Sequence, residues 1–138
     1  MSTSRVLCLA TTIGVLLAAA PSFAHHSFAL EFDGKKCREF TGTLTHLDWQ
    51  NPHSHFTMDV KDASGKVQSW LFEGLSTLSM KRAGTDRQEW LDNIGKEAWV
   101  KGCLARSGTE NKAAAGTLKF ASDGRLRQVG AIVEEPNQ

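Results

Sequence analysis

All five histidines of this chain lie between His25 and His55. Imidazole is a common ligand for Cu and Zn, and its affinity for both comes from a nitrogen that is neutral near physiological pH. The first two, His25 and His26, directly follow Ser22-Phe23-Ala24, a run that puts small residues where a signal peptidase inspects the chain. Cleavage after Ala24 gives a mature protein that begins His25-His26. A terminal amine has a pKa near 8 and an imidazole near 6.5, so both lose protons close to neutral pH. The amine and the His25 ring can then chelate one metal, and His53 can add a third nitrogen from a turn. Such an amine-plus-imidazole set suits Cu(II), and in ligand chemistry it resembles the histidine brace of exported copper proteins. His53 and His55, two apart on extended chain, form a second arrangement able to share an ion. His46 completes the cluster in sequence.

The elements that must position these groups follow from the flanking chain. Arg5, the uncharged apolar run Val6 to Ala20 and Pro21 read as a secretory leader over residues 1–24. The apolar run is shorter than the roughly 20 residues that span a bilayer, so it is not read as an anchor. One small domain is expected from His25 to Gln138, in the periplasm or secreted. Removing Arg5 with the leader leaves fifteen basic and fifteen acidic residues. That balance, without a basic stripe, argues against a nucleic-acid partner. No second hydrophobic span points to a membrane after processing. The partner class is therefore an unidentified protein or small ligand, and the oligomeric state is open.

Cys37 and Cys103 are the cysteines left beyond the leader. In an oxidising compartment they read as a disulfide, with Cys37 as a thiolate metal ligand the rival reading.

A polar arm is expected from Ser27 to Lys36, followed by a first strand from Glu39 to Trp49 with Gly42 as a bend or bulge. Asn51-Pro52 marks a turn. His55 to Val60 alternates, with Phe56, Met58 and Val60 on one face. Asp62 to Lys66 is a hairpin turn leading to a third strand, Val67 to Glu73, that carries Trp70 and Phe72. Ser76 caps a helix to Arg82 closed by Gly84, and Thr85 with Gln88 reads as a capping box for a second. A strand from Glu97 to Leu104, a loop from Ser107 to Gly116, and two strands flanking Asp123-Gly124 follow. The last of these runs from Arg125 to Val133, and Glu134 to Gln138 is expected to fray. This string fits a mainly β fold, a small five-stranded OB-like barrel with a short helical insert after the third strand. An open antiparallel sheet with helices on one face gives the same string.

His25-His26-Ser27-Phe28-Ala29, Phe32-Asp33, Gly42, Trp49 to His53, Asp59 to Asp62, Trp70 to Gly74 and Asp123-Gly124 form a series along nearly the whole mature chain. In that series the chain resembles a bacterial family of small exported proteins of unknown function, marked by HHSFA and W-x-N-P-H. The resemblance implies an exported, barrel-like domain without an assigned activity. His55 stands where an aromatic residue is expected, and His46 matches no mark of the family. The aromatic expected just after Gly84 is also absent. These departures rank His55 and His46 below His25, His26 and His53 as ligands.

Other residues near the histidines have possible supporting roles. Glu73 ends a Trp-bearing strand and can orient a ligand histidine as an acceptor. Trp49 and Asn51 flank the turn and could wall a ligand site. A metal-free adaptor using a barrel face around Trp49 and Trp70 is the alternative to copper binding. No nucleophile elbow, phosphate loop or H-E-x-x-H is present, so catalysis is not expected. A copper-dependent oxidoreductase is the remaining, third reading.

Overall fold

The computed structural model describes residues 28–131. Six strands run in chain order: β1 (Phe32–Asp48), β2 (His55–Lys61), β3 (Val67–Glu73), β4 (Glu97–Ala105), β5 (Lys112–Phe120) and β6 (Leu126–Gln128). Three short helices accompany them. α1 (Phe28–Glu31) precedes β1, while α2 (Thr77–Arg82) and α3 (Arg87–Asp92) lie between β3 and β4. The sheet order is β3-β2-β1-β4-β5-β6, and β3 also pairs with β5. That last pairing is parallel, Leu71 to Glu73 against Lys112 to Ala114, and it closes five strands into a barrel. The OB-like reading, with its helices after the third strand, therefore holds over the open sheet.

Period-2 alternation explains the walls. Phe40 and Leu44 of β1, Phe56 and Met58 of β2, and Trp70 and Phe72 of β3 all point inward and are buried. β1 is long because it serves two partners. Its first half faces β4 and its second half faces β2, with Gly42 and Thr43 paired to both. At this bend a Cβ on Gly42 would lie 2.2 Å from the Asp59 carbonyl oxygen, so only glycine admits the neighbouring backbone. The ladder irregularity itself falls between Leu44 and His46.

The β2–β3 turn is organised by Asp62. Its carboxylate accepts from the Ser64 hydroxyl and the Ser64 and Lys66 N–H groups, at 2.6, 2.8 and 3.0 Å. The Ser64 hydroxyl is the main reason this carboxyl sits below its ordinary pKa.

The helical insert plugs one end of the barrel. Ser76 caps α2 as expected, its hydroxyl accepting from the Ser79 N–H. The cap of α3, however, is Asp86 and not Thr85. Thr85 is drawn inward instead, where its hydroxyl accepts the Trp90 indole N–H at 3.0 Å. Trp90 is fully buried and joins an aromatic chain through the core. Its ring centroid lies 4.9 Å from that of Phe56 and 5.3 Å from that of Phe120, and Phe56 stacks on Phe72 at 5.1 Å.

Three further expectations are corrected. The arm proposed for Ser27 to Lys36 contains α1 and the start of β1, because Phe32 is buried. The loop proposed for Ser107 to Gly116 ends at Lys112, where β5 begins with the buried run Ala113 to Ala115. β4 and β5 approach closely there: a Cβ on Gly102 would meet the Ala114 carbonyl oxygen at 2.9 Å. Of the strand proposed for Arg125 to Val133, Leu126–Gln128 is strand among the described residues, and Ile132 and Val133 lie outside them.

The expected bond between Cys37 and Cys103 is present, joining directly paired residues of β1 and β4. Both sulfurs are consumed, so Cys37 is not a thiolate ligand. Closing a loop of 66 residues contributes about 4 kcal/mol on the chain-entropy model. Reduction is expected to lower the denaturant midpoint without changing the strand content seen by circular dichroism. An unchanged midpoint would remove the bond from the account of stability.

Arg127 gives the barrel a buried charge. Its side chain is fully shielded, pairs with Glu89 of α3 and with Asp123, and lies over the Phe120 ring at 4.7 Å. Arg125 adds a 2.8 Å contact to Glu89. Burial alone would raise the Glu89 pKa, but hydrogen bonds from Arg127, Thr85 and Arg125 outweigh it and hold it at about 2. Asp123, bonded chiefly by Arg127, is also lowered to about 2. Carboxylates depressed in the folded state stabilise it above their ordinary pKa, and that stability is lost as pH falls through the folded value. The urea midpoint of the native sequence should therefore drop between about pH 4.5 and 2. Glu89→Gln should start lower at neutral pH and fall less steeply over the same window. Parallel profiles for the two proteins would reject the assignment.

Candidate functional site

The turn after β1 is held by backbone groups on three sides. Asn51-Pro52 is a cis peptide. The buried Ser54 donates its N–H to the Leu75 carbonyl at 2.9 Å and accepts from the Gly74 N–H at 2.8 Å. Leu75 in turn donates to the Val129 carbonyl at 2.8 Å. The turn is thus strapped to the end of β3, which is strapped to the chain beyond β6. Asn51 faces α2. Its side-chain oxygen accepts from the Thr77 N–H and hydroxyl, at 3.1 and 3.0 Å, and so ties the turn to the first residue of α2.

These ties set His53 beside Glu73. The His53 Nδ1 lies 3.2 Å from the Gly74 carbonyl oxygen and 3.2 Å from Glu73 Oε1. Both partners are acceptors, so this geometry suits a proton on Nδ1. His55 reaches the same carboxylate by register, since it is the cross-strand partner of Glu73. Its Nε2 lies 3.8 Å from Glu73 Oε2. The Glu73 side chain is 18% exposed and that of His53 51%, so the acceptor is sheltered while the imidazole faces solvent.

The group opens into a cleft of about 450 Å³. Gln50, Pro52, His53, His55 and Glu73 form one end; Leu75, Ala114, Ala115, Ala131 and the α1 and β1 residues Phe28, Glu31 and Phe32 form the remainder. The Phe28 and Phe32 rings stack at 5.4 Å. Their four-residue spacing is the sequence signal that could have identified this wall.

The other sequence candidates separate. His46 is exposed on β1 opposite Thr57 and does not line the cleft. Trp49 packs against the core and is not a cleft wall. Trp70 is 8% exposed inside the barrel, with Arg38 over its ring. His25 and His26 lie outside the described residues. Among the described residues, no group of three or more His, Cys, Asp or Glu is arranged to hold a metal. No described helix is long and apolar enough to cross a membrane.

Removing the Asn51 acceptor leaves two donors of Thr77 to solvent and unties the turn from α2. Asn51→Ala is expected to cost about 1–2 kcal/mol. It should also shift the His53 ring resonances while leaving those of His46 in place. An unshifted His53 would mean the turn is set by its backbone ties alone.

No curated protein and no solved structure matches the chain. The model of a family of unknown function (DUF6152) matches residues 13–114, most of the sequence, and the chain belongs to that family.

Proposed function

We propose that this protein is an exported, non-enzymatic binding protein that takes up Cu(II). The leader is removed after Ala24, and the ligands are the new terminal amine, His25, His26 and His53. The periplasm or the exterior is its place of work. The observation that supports this reading is the pairing of His53 and His55 on one sheltered carboxylate, in a cleft that Phe28 also lines. His25 is three residues from Phe28, a reach of about 10 Å in extended chain. The terminal amine therefore starts within that span of a residue that lines the same cleft as His53.

Glu73 acts through His53. A carboxylate behind a ligand imidazole fixes its tautomer and raises its basicity. Nitrogen donors of this kind favour Cu(II) over the harder divalent ions. The described residues do not make a complete metal site, so affinity should depend on the processed N-terminus.

Calorimetric titration of Cu(II) into the processed protein tests this. A single site tighter than micromolar is expected. His25→Ala and His53→Ala should each weaken it at least tenfold, and His46→Ala should not change it. One glycine added before His25 displaces the amine from its ring and should weaken binding as much as His25→Ala. Absence of a site tighter than micromolar, or an unaffected His25→Ala protein, would sink the copper reading. Glu73→Gln should weaken binding by about 10- to 100-fold, as for other partners behind metal ligands.

A further inference from the structure

The helical insert closes one end of the barrel, since it follows the end of β3 and leads into the start of β4. The opposite end is ringed by the starts of β1, β3 and β5 and by the finish of β4. A cleft of about 430 Å³ opens there, with Lys36, Gln68, Trp70, Leu104, Glu110 and Lys112 in its lining. It shares no lining residue with the histidine cleft.

Aromatic rings hold the cations at this end. The Arg38 guanidinium lies 4.7 Å from the Phe40 ring centroid and 4.8 Å from that of Trp70. The Lys112 Nζ lies 5.4 Å from the Phe32 centroid. Neither cation has a carboxylate partner among the described residues. Lys36 has Asp33 at 3.9 Å, and Glu110 is the acid in the lining. Stacking covers the face of a guanidinium and leaves its N–H edge free, so the fork is ordered before any ligand arrives. Trp70 adds a donor of another kind. Its indole N–H meets no acceptor among the described residues, yet it is not sealed from solvent as the Arg127 Nε is. The indoles of Trp90 and Trp99 donate to Thr85 and Glu39 instead.

We propose that this end of the barrel binds a small, multiply charged oxyanion through the Arg38 fork, the Trp70 N–H and the ammonium groups of Lys36 and Lys112. Carboxylates and phosphates share the paired oxygens that a guanidinium bonds two at a time. Separated cations favour a ligand that carries more than one charge, and the cleft has the size of a small-molecule site. The inference does not rest on the copper reading.

The Trp70 indole is the probe. Citrate and inorganic phosphate are titrated separately into the full-length, metal-free chain at constant ionic strength, and the indole N–H resonances are followed by NMR. Trp70→Phe and Trp90→Phe assign two of them. At least one anion is expected to shift the Trp70 resonance saturably, with a Kd of about 1 mM or tighter, and to leave that of Trp90 in place. A response to citrate alone makes the ligand a polycarboxylate, a response to phosphate alone a phosphate compound, and a response to both any oxyanion. Arg38→Gln and Lys112→Gln should each weaken binding about tenfold or more, since each removes a charge-assisted contact. Lys96→Gln removes the same charge beside the insert and should leave binding unchanged. No saturable shift with either anion overturns the inference. So does equal weakening by Lys96→Gln and the two cleft variants, which would mark a net-charge effect.

Discussion

A sheet of five strands can close on itself only if its two edge strands meet, and here that junction is small. Three residue pairs of β3 and β5 make it, in parallel. Without those pairs β3 and β5 would each present unpaired N–H and C=O groups, and the interior would open to water. Closure in turn requires β1 to serve β2 and β4 at once, which is why it bends at the one residue whose Cβ would strike the Asp59 carbonyl. The same junction sets Glu73 next to Ala114. The cleft is therefore built on the closure itself: the carboxylate that orients His53 and the small-residue floor beside it come from the two strands that complete the barrel.

The ends of such a barrel need plugs, and the helical insert supplies one through Trp90. What holds that plug is polar. Arg127 reaches from β6 to Glu89 on the helix that carries Trp90, and Asp123 completes the neutralisation. A buried guanidinium is costly unless its charge is matched and its N–H groups are bonded. Two carboxylates match the charge and bond the terminal nitrogens, the buried Nε is left without a hydrogen-bond partner, and the Phe120 ring lies against the guanidinium. The network thus fixes where the insert sits as well as contributing stability.

Strands with large side chains were legible in the sequence. β2 and β3 alternate cleanly because the barrel interior takes Phe, Met and Trp there, and β4 shows Trp99 and Val100 on opposite faces. β5 was not legible at its start. Its inward positions are alanines, chosen by the close approach of β4, and small residues carry no β signal of their own. Thr85 misled for a related reason. Its spacing fits a capping box, but the buried indole of Trp90 claims its hydroxyl, and Asp86 takes the cap. At the site, His53 and Glu73 were readable as a histidine and its acceptor. The role of Asn51 was not, since its partner Thr77 lies 26 residues away. Nor could spacing show that Trp70 faces inward.

The three histidines near the turn illustrate how register decides chemistry. His53 and His55 reach one carboxylate by different routes, the first through a backbone-strapped turn and the second through direct pairing across β2 and β3. His46 is on β1, whose cross-strand partner is Thr57, and the adjacent row on β3 holds Leu71 at that level. Its direct cross-strand partner is therefore not acidic. The family comparison ranked His55 with His46, because neither matches a family mark. The strand register separates them: His55 shares the environment of His53, and His46 does not. Clustering in sequence drew attention to five imidazoles, but among the described residues a shared carboxylate selects two of them.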